Sequence, residues 1–166
     1  MQNPITTSAP PAVDLFSAAV DSLLEAGLSV RFRAGGRSMT PTVRDGEYLI
    51  VSPVDPTQVG RGDIVWCQTR RGPVAHRVCD VQPGPDNSKR YVLYGDASLE
   101  SDLPVAAHQL RGRVVGVERD GKQMSLRLVG GVLGRTVFML ALELHRSALM
   151  ARTRFGARLT PAEMPR

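Results

Sequence analysis

Apolar and polar positions recur with two different periods along this chain, and the switch between them marks its first structural boundary. Leu15, Phe16, Ala19, Val20, Leu23 and Leu24 are spaced so as to share one side of an α-helix. Asp14 stands where a helix cap is expected and Gly27 where a helix ends, which predicts a helix over about residues 15–26. From Leu28 the period becomes two. Leu28, Val30, Phe32 and Ala34 alternate with Ser29, Arg31 and Arg33, the pattern of a half-buried strand. Further strand candidates are 47–52, 63–69, 73–81, 90–94, 111–118 and 122–128.

Turn-forming pairs separate these runs: Asp45-Gly46, Arg71-Gly72 and Asp120-Gly121. Asp120-Gly121 between two alternating segments is the strongest hairpin signal in the chain. No helix is predicted between the strands. The expected fold is therefore mainly β, an antiparallel sheet or barrel with an N-terminal amphipathic helix and a C-terminal helix. Residues 1–13, rich in Pro, Thr, Ser and Ala, read as a flexible tail. Residues 14–127 read as one domain, and 128–166 as an extension that is first apolar and then basic. Within it, the segment 128–158 is expected either to lie on a membrane as a peripheral amphipathic helix or to cover the domain's own sheet. No secretory leader and no long uncharged apolar run occur, so a cytoplasmic location is expected.

Composition narrows the partners. The chain has 166 residues, 42% hydrophobic and 22% charged, which suits one soluble globular domain. Aromatics are only 5%, so the core has to come from Val, Leu, Ile and Ala. The net charge of +5 is almost all arginine and is scattered. Scattered arginine reads as solvated surface, and no nucleic-acid partner is expected. Cys67 and Cys79 are too few for a disulfide framework or a cysteine zinc site. They read as small core residues, with a bridge across a hairpin as the alternative. No metal or cofactor is expected.

Three clusters carry candidate chemistry. Gly35-Gly36-Arg37-Ser38-Met39-Thr40-Pro41-Thr42 follows the first strand. Glycines there let the chain turn so that a serine presents its hydroxyl beside a backbone N–H, as a nucleophile with an oxyanion donor requires. His76 lies inside an alternating strand and is the side chain best suited to act as a base near neutral pH. Tyr94-Gly95-Asp96-Ala97-Ser98, followed by Glu100, Ser101 and Asp102, supplies two aspartates just past another strand. Either could orient an imidazole. Taken singly, each cluster is equally an ordinary turn, a strand histidine or a polar loop.

In their order along the chain, the clusters resemble the boxes of the type I signal peptidase superfamily of serine proteases. GRSMTPTVRDGEYLIV is similar to the nucleophile box, and RGDIVWCQ to the strand that follows it. VAHRV resembles the base box, with the histidine used by the endoplasmic-reticulum, archaeal and sporulation-type enzymes in place of lysine. YGDASLESD resembles that subgroup's last box. The resemblance covers about residues 28–118. It implies Ser38 as nucleophile, His76 as base, Asp102 as the triad carboxylate, and Asp96 as a second required aspartate. Ser38, Gly36 and Met39 are expected to form the oxyanion and substrate-binding surface. The chain departs from the family at Gly36, where many relatives carry serine, and at Ala97, where asparagine is common. The segment before the nucleophile box is an amphipathic helix and not a membrane anchor.

The implied function is a serine endopeptidase that removes a leader from a peptide or precursor through an acyl-enzyme, with small residues favoured before the cut. The substrate is expected to add as a strand along a sheet edge. Lys89, in a polar loop, and Lys122, after the last turn, are not placed as bases. Two alternatives remain. One is a non-catalytic peptide-binding or membrane-docking module on the same fold. The other is a self-cleaving repressor-type protease, which would use lysine as its base.

Overall fold

The period switch read from the sequence is where the first two elements meet. The computed structural model describes residues 12–85, 88–98 and 101–126, with four positions of a later helix, Leu140, Ala141, Leu144 and Ser147. Helix α1 spans Ala12–Glu25. It closes on Gly27, at φ +82, with the Gly27 and Leu28 N–H groups donating to Leu24 O and Leu23 O. A left-handed residue at this position is what glycine provides. The helix starts before Asp14, which therefore lies within the first turn and does not cap it.

The predicted stripe on α1 is rotated from the one observed. Ser17, Val20 and Leu24 are buried, while Leu15, Phe16, Ala19 and Leu23 are exposed. The reason is Asp21. Its carboxylate accepts from Trp66 Nε1 and from Gln68 Nε2, both at 2.8 Å. These bonds satisfy a polar side chain on the inward side of the helix and turn part of the apolar surface outward.

Eight strands follow among the described residues: β1 (Val30–Arg33), β2 (Tyr48–Ser52), β3 (Ile64–Thr69), β4 (Gly72–Pro83), β5 (Lys89–Tyr94), β6 (Val105–Ala106), β7 (Leu110–Arg119) and β8 (Lys122–Ser125). They form one antiparallel sheet in the order β1-β2-β7-β3-β4-β5-β6, with β8 paired to β7. The sheet does not close into a barrel. The β7–β8 turn uses Asp120 at φ 50 and Gly121 at φ 72, the positive pair that tight hairpins require. Strand β4 outruns its predicted limits because a bulge between Val78 and Asp80 lets it bend and keep pairing with β5. Lys89 opens β5 and is not in a loop. Its Nζ donates to Thr57 O.

Both faces of the sheet are covered near its centre. Ile64 and Trp66 of β3 join α1, β1, β2 and β7 in one apolar cluster. Val65 and Cys67 of the same strand join Val78, Tyr91 and Leu93 in a second. Alternate residues of β3 thus enter different cores, which is why its sequence is a continuous apolar run. Cys67 and Cys79 are both buried and form no disulfide, as the core reading expected. Apart from the four helical positions, all exposed, the extension 128–166 lies outside the described residues, and so does the tail before residue 12. No helix among the described residues is long and apolar enough to cross a membrane.

Candidate active site

Ser38, His76 and Asp102, one residue from each cluster, come together. Ser38 sits in the loop that joins β1 to β2, His76 in β4, and Asp102 in the segment between β5 and β6. His76 Nε2 lies 3.0 Å from Ser38 Oγ, and His76 Nδ1 lies 2.5 Å from Asp102 Oδ2. An ionised carboxylate only accepts, so Nδ1 carries the proton and Nε2 is left to accept from the Ser38 hydroxyl. Ser38 is exposed, while the His76 side chain retains 11% of its accessible surface and Asp102 23%. A reactant can reach the serine while the imidazole stays fixed.

Backbone contacts brace this geometry. Ala97 N–H donates to Ser38 O at 2.8 Å and Asp102 N–H donates to Leu93 O at 2.9 Å. Each ties one member of the trio to the end of β5. Gly95 permits the approach: a Cβ there would lie 2.6 Å from Ser38 O and 2.9 Å from Ser38 Cβ. Gly36, at φ +92, allows the turn before the serine. Its N–H donates to Asp45 Oδ1 at 2.9 Å and is therefore committed to the loop. Met39 is buried in the first core cluster and forms part of the adjoining cleft.

Asp96, the second aspartate that the resemblance requires, braces the loop and does not meet the imidazole. Its side chain is fully buried and receives Arg77 Nε at 2.8 Å, Arg77 Nη2 at 2.7 Å and the Thr42 hydroxyl at 2.5 Å. Arg77 Nη1 also donates to Gly62 O at 2.8 Å. Strand alternation puts Arg77 on the face opposite His76. A buried bidentate pair with its remaining donors satisfied fixes geometry more than charge. Thr42, four residues past Ser38, ties the nucleophile loop to this pair. Arg77 and Thr42 were not singled out from the sequence, where arginine read as solvated surface. The signal was present: an arginine inside an otherwise buried strand stretch needs a carboxylate partner.

Ser38 and His76 line a cleft of about 140 Å³ whose walls include Gly35 and Gly36 on one side and Pro73, Val74 and Ala75 on the other. Both walls border edges that are unpaired among the described residues, where β1 pairs only with β2 and β4 up to His76 only with β3. Behind the site, Cys67 is deeply buried, and burial pushes its thiol up to about 12, with the Asp102 and Asp21 charges adding to the rise. That sulfur is a packing atom and not a nucleophile. Among the described residues no group of His, Cys, Asp and Glu is arranged to hold a metal ion. Compared with known proteins, the chain matches no family model and no curated sequence.

Proposed function

We propose that this chain is a serine endopeptidase of signal-peptidase type. The observation that carries the reading is the hydrogen-bonded series Ser38–His76–Asp102, with distances of 3.0 and 2.5 Å and an accessible serine. Ser38 Oγ attacks the scissile carbonyl while His76 Nε2 takes its proton. The imidazolium is held by Asp102 and returns the proton to the leaving amine. Water, deprotonated by His76, then hydrolyses the ester on Ser38 and frees the second product. The N–H of Ser38, which has no hydrogen-bond acceptor among the described residues, is the backbone donor for the developing oxyanion.

A peptide substrate lies extended between the unpaired edges of β1 and β4 and adds main-chain hydrogen bonds to them. The resemblance to signal peptidases supplies the substrate class, a precursor carrying a leader with small residues before the cut. Peripheral contact with a membrane through residues 128–158 belongs to the same reading. The test is labelling by a fluorophosphonate, with the adduct located by peptide mapping. Wild type should label at Ser38, and Ser38→Ala should not label. A folded wild type that stays unlabelled would leave the peptide-binding module as the reading.

A further inference from the structure

Two aromatic rings in the lining of the cleft are held in place by helix α1. Phe32 and Trp66 line the cleft together with Ser38 and His76. Their rings meet edge to face, with centroids 5.0 Å apart and planes at 64°. Phe16 of α1 packs edge-on against Phe32 at 5.4 Å and 81°. The Trp66 indole N–H donates to Asp21 Oδ1 at 2.8 Å, and the second oxygen of Asp21 takes Gln68 Nε2 at 2.8 Å. Arg111 Nε stands 3.5 Å from that same oxygen, and the Asp21 side chain keeps only 14% of its surface. The indole is thus fixed at its polar end by a shielded carboxylate and at its face by Phe32.

A cavity of about 140 Å³ is near the size that admits one small ring or a short branched side chain. Trp66 is part of its lining, and Asp21 fixes the Trp66 indole. We infer that α1 sets the size selectivity of the cleft, with Asp21 and Phe16 as positioning residues that hold Trp66 and Phe32 in its lining. The inference rests on the protease reading for the word selectivity, though not for the clamp itself. Neither residue touches the reacting atoms. Both act through the rings they hold, so they govern which side chain fits beside Ser38 and not the proton transfer.

The chain contains a single tryptophan, so its emission reports this lining without interference. Full-length protein would be labelled with an alanyl and a phenylalanyl aryl phosphonate, and the ratio of the two rates taken. Asp21→Ala should raise the phenylalanyl-to-alanyl ratio by about tenfold or more, the scale on which a pocket discriminates side chains. It should also shift Trp66 emission to longer wavelength. Asp21→Asn keeps an acceptor for the indole and should hold the wild-type ratio and spectrum. Phe16→Ala, at a half-exposed position, should raise the ratio in the same direction and serves if Asp21→Ala does not fold. An unchanged ratio and spectrum in these variants would overturn the inference. Silence of wild type towards both phosphonates would remove the protease reading alone. Trp66 emission would then decide the clamp: a shift in Asp21→Ala supports it, and an unshifted spectrum overturns it.

Discussion

Strand β4 carries two polar neighbours with the same kind of partner in opposite surroundings. His76 meets Asp102 on the open side, where that carboxylate keeps 23% of its surface. Arg77 meets Asp96 on the closed side, where the two side chains keep 3% and 0%. One residue along the strand reverses the face, and the face decides the role. A partly solvated imidazole can take and return a proton within one catalytic cycle. A buried guanidinium pair cannot be broken without leaving a charge stranded, and so it holds loops together. The two pairs also converge on one loop, through Ser38 on the open side and Thr42 on the closed side.

The contrast can be broken most severely at Ser38. Ser38→Ala should abolish phosphonate labelling and lower any hydrolysis by about 10⁶-fold, while the melting temperature stays at the wild-type value. A matching fall in melting temperature would mean that Ser38 is structural. The closed side should respond in the other currency. Asp96→Asn should cost about 3–5 kcal/mol of stability, seen in urea unfolding. Replacing both partners, Arg77→Met with Asp96→Leu, should recover much of that loss, because no charge is then left unpaired. A double variant as unstable as the single one would show that the Thr42 and Gly62 contacts matter more than the pair.

Gly95 sharpens the comparison because it separates position from chemistry. Gly95→Ala pushes a methyl group against Ser38 O and Cβ. A displacement approaching 1 Å should cost about 10²-fold in labelling rate, with the Ser38, His76 and Asp102 side chains all intact. Normal labelling would show that the loop yields at no cost. The smallest effect expected is on acid stability. Arg119, hydrogen-bonded to Glu47, holds that carboxylate below the usual glutamate value of 4.5. A depressed folded-state value contributes stability above pH 4.5 that is lost as pH falls through the folded value. Glu47→Gln should therefore flatten the fall of melting temperature below that pH, by a few degrees at most for a rim pair. An unchanged slope would remove the pair from the acid response.

Much of the sheet was legible because the chemistry is local. Asp120-Gly121 specifies its hairpin by φ alone, and the alternation of Val30 and Phe32 places β1 against a core. The trio was legible through the order of its boxes, with serine after the first strand, histidine inside another and the second aspartate in the loop past a third. The orientation of α1 was not legible. The helix is apolar on most of its circumference, and only the Trp66 and Gln68 donors, far along the chain, decide that Asp21 faces inward. The bracing role of Asp96 was legible from its offset from Asp102, but its partner was not, because Arg77 is a distant strand residue with no local mark of the pairing. Strand β6, with two residues, is too short for any period to register.

The most direct test of the division on β4 is a crossed pair of variants, Asp102→Asn and Asp96→Asn. Each is followed by melting temperature and by the rate of fluorophosphonate labelling at a temperature where both are folded. Losing the carboxylate that orients a triad histidine lowers turnover by about 10⁴-fold without disturbing geometry. Asp102→Asn should therefore keep its melting temperature and lose most of its labelling rate. Asp96→Asn should lose about 10 °C or more and label, once folded, within about tenfold of wild type. The opposite pattern, with a stable but unreactive Asp96→Asn and a reactive Asp102→Asn, would contradict the account and exchange the two aspartates' roles.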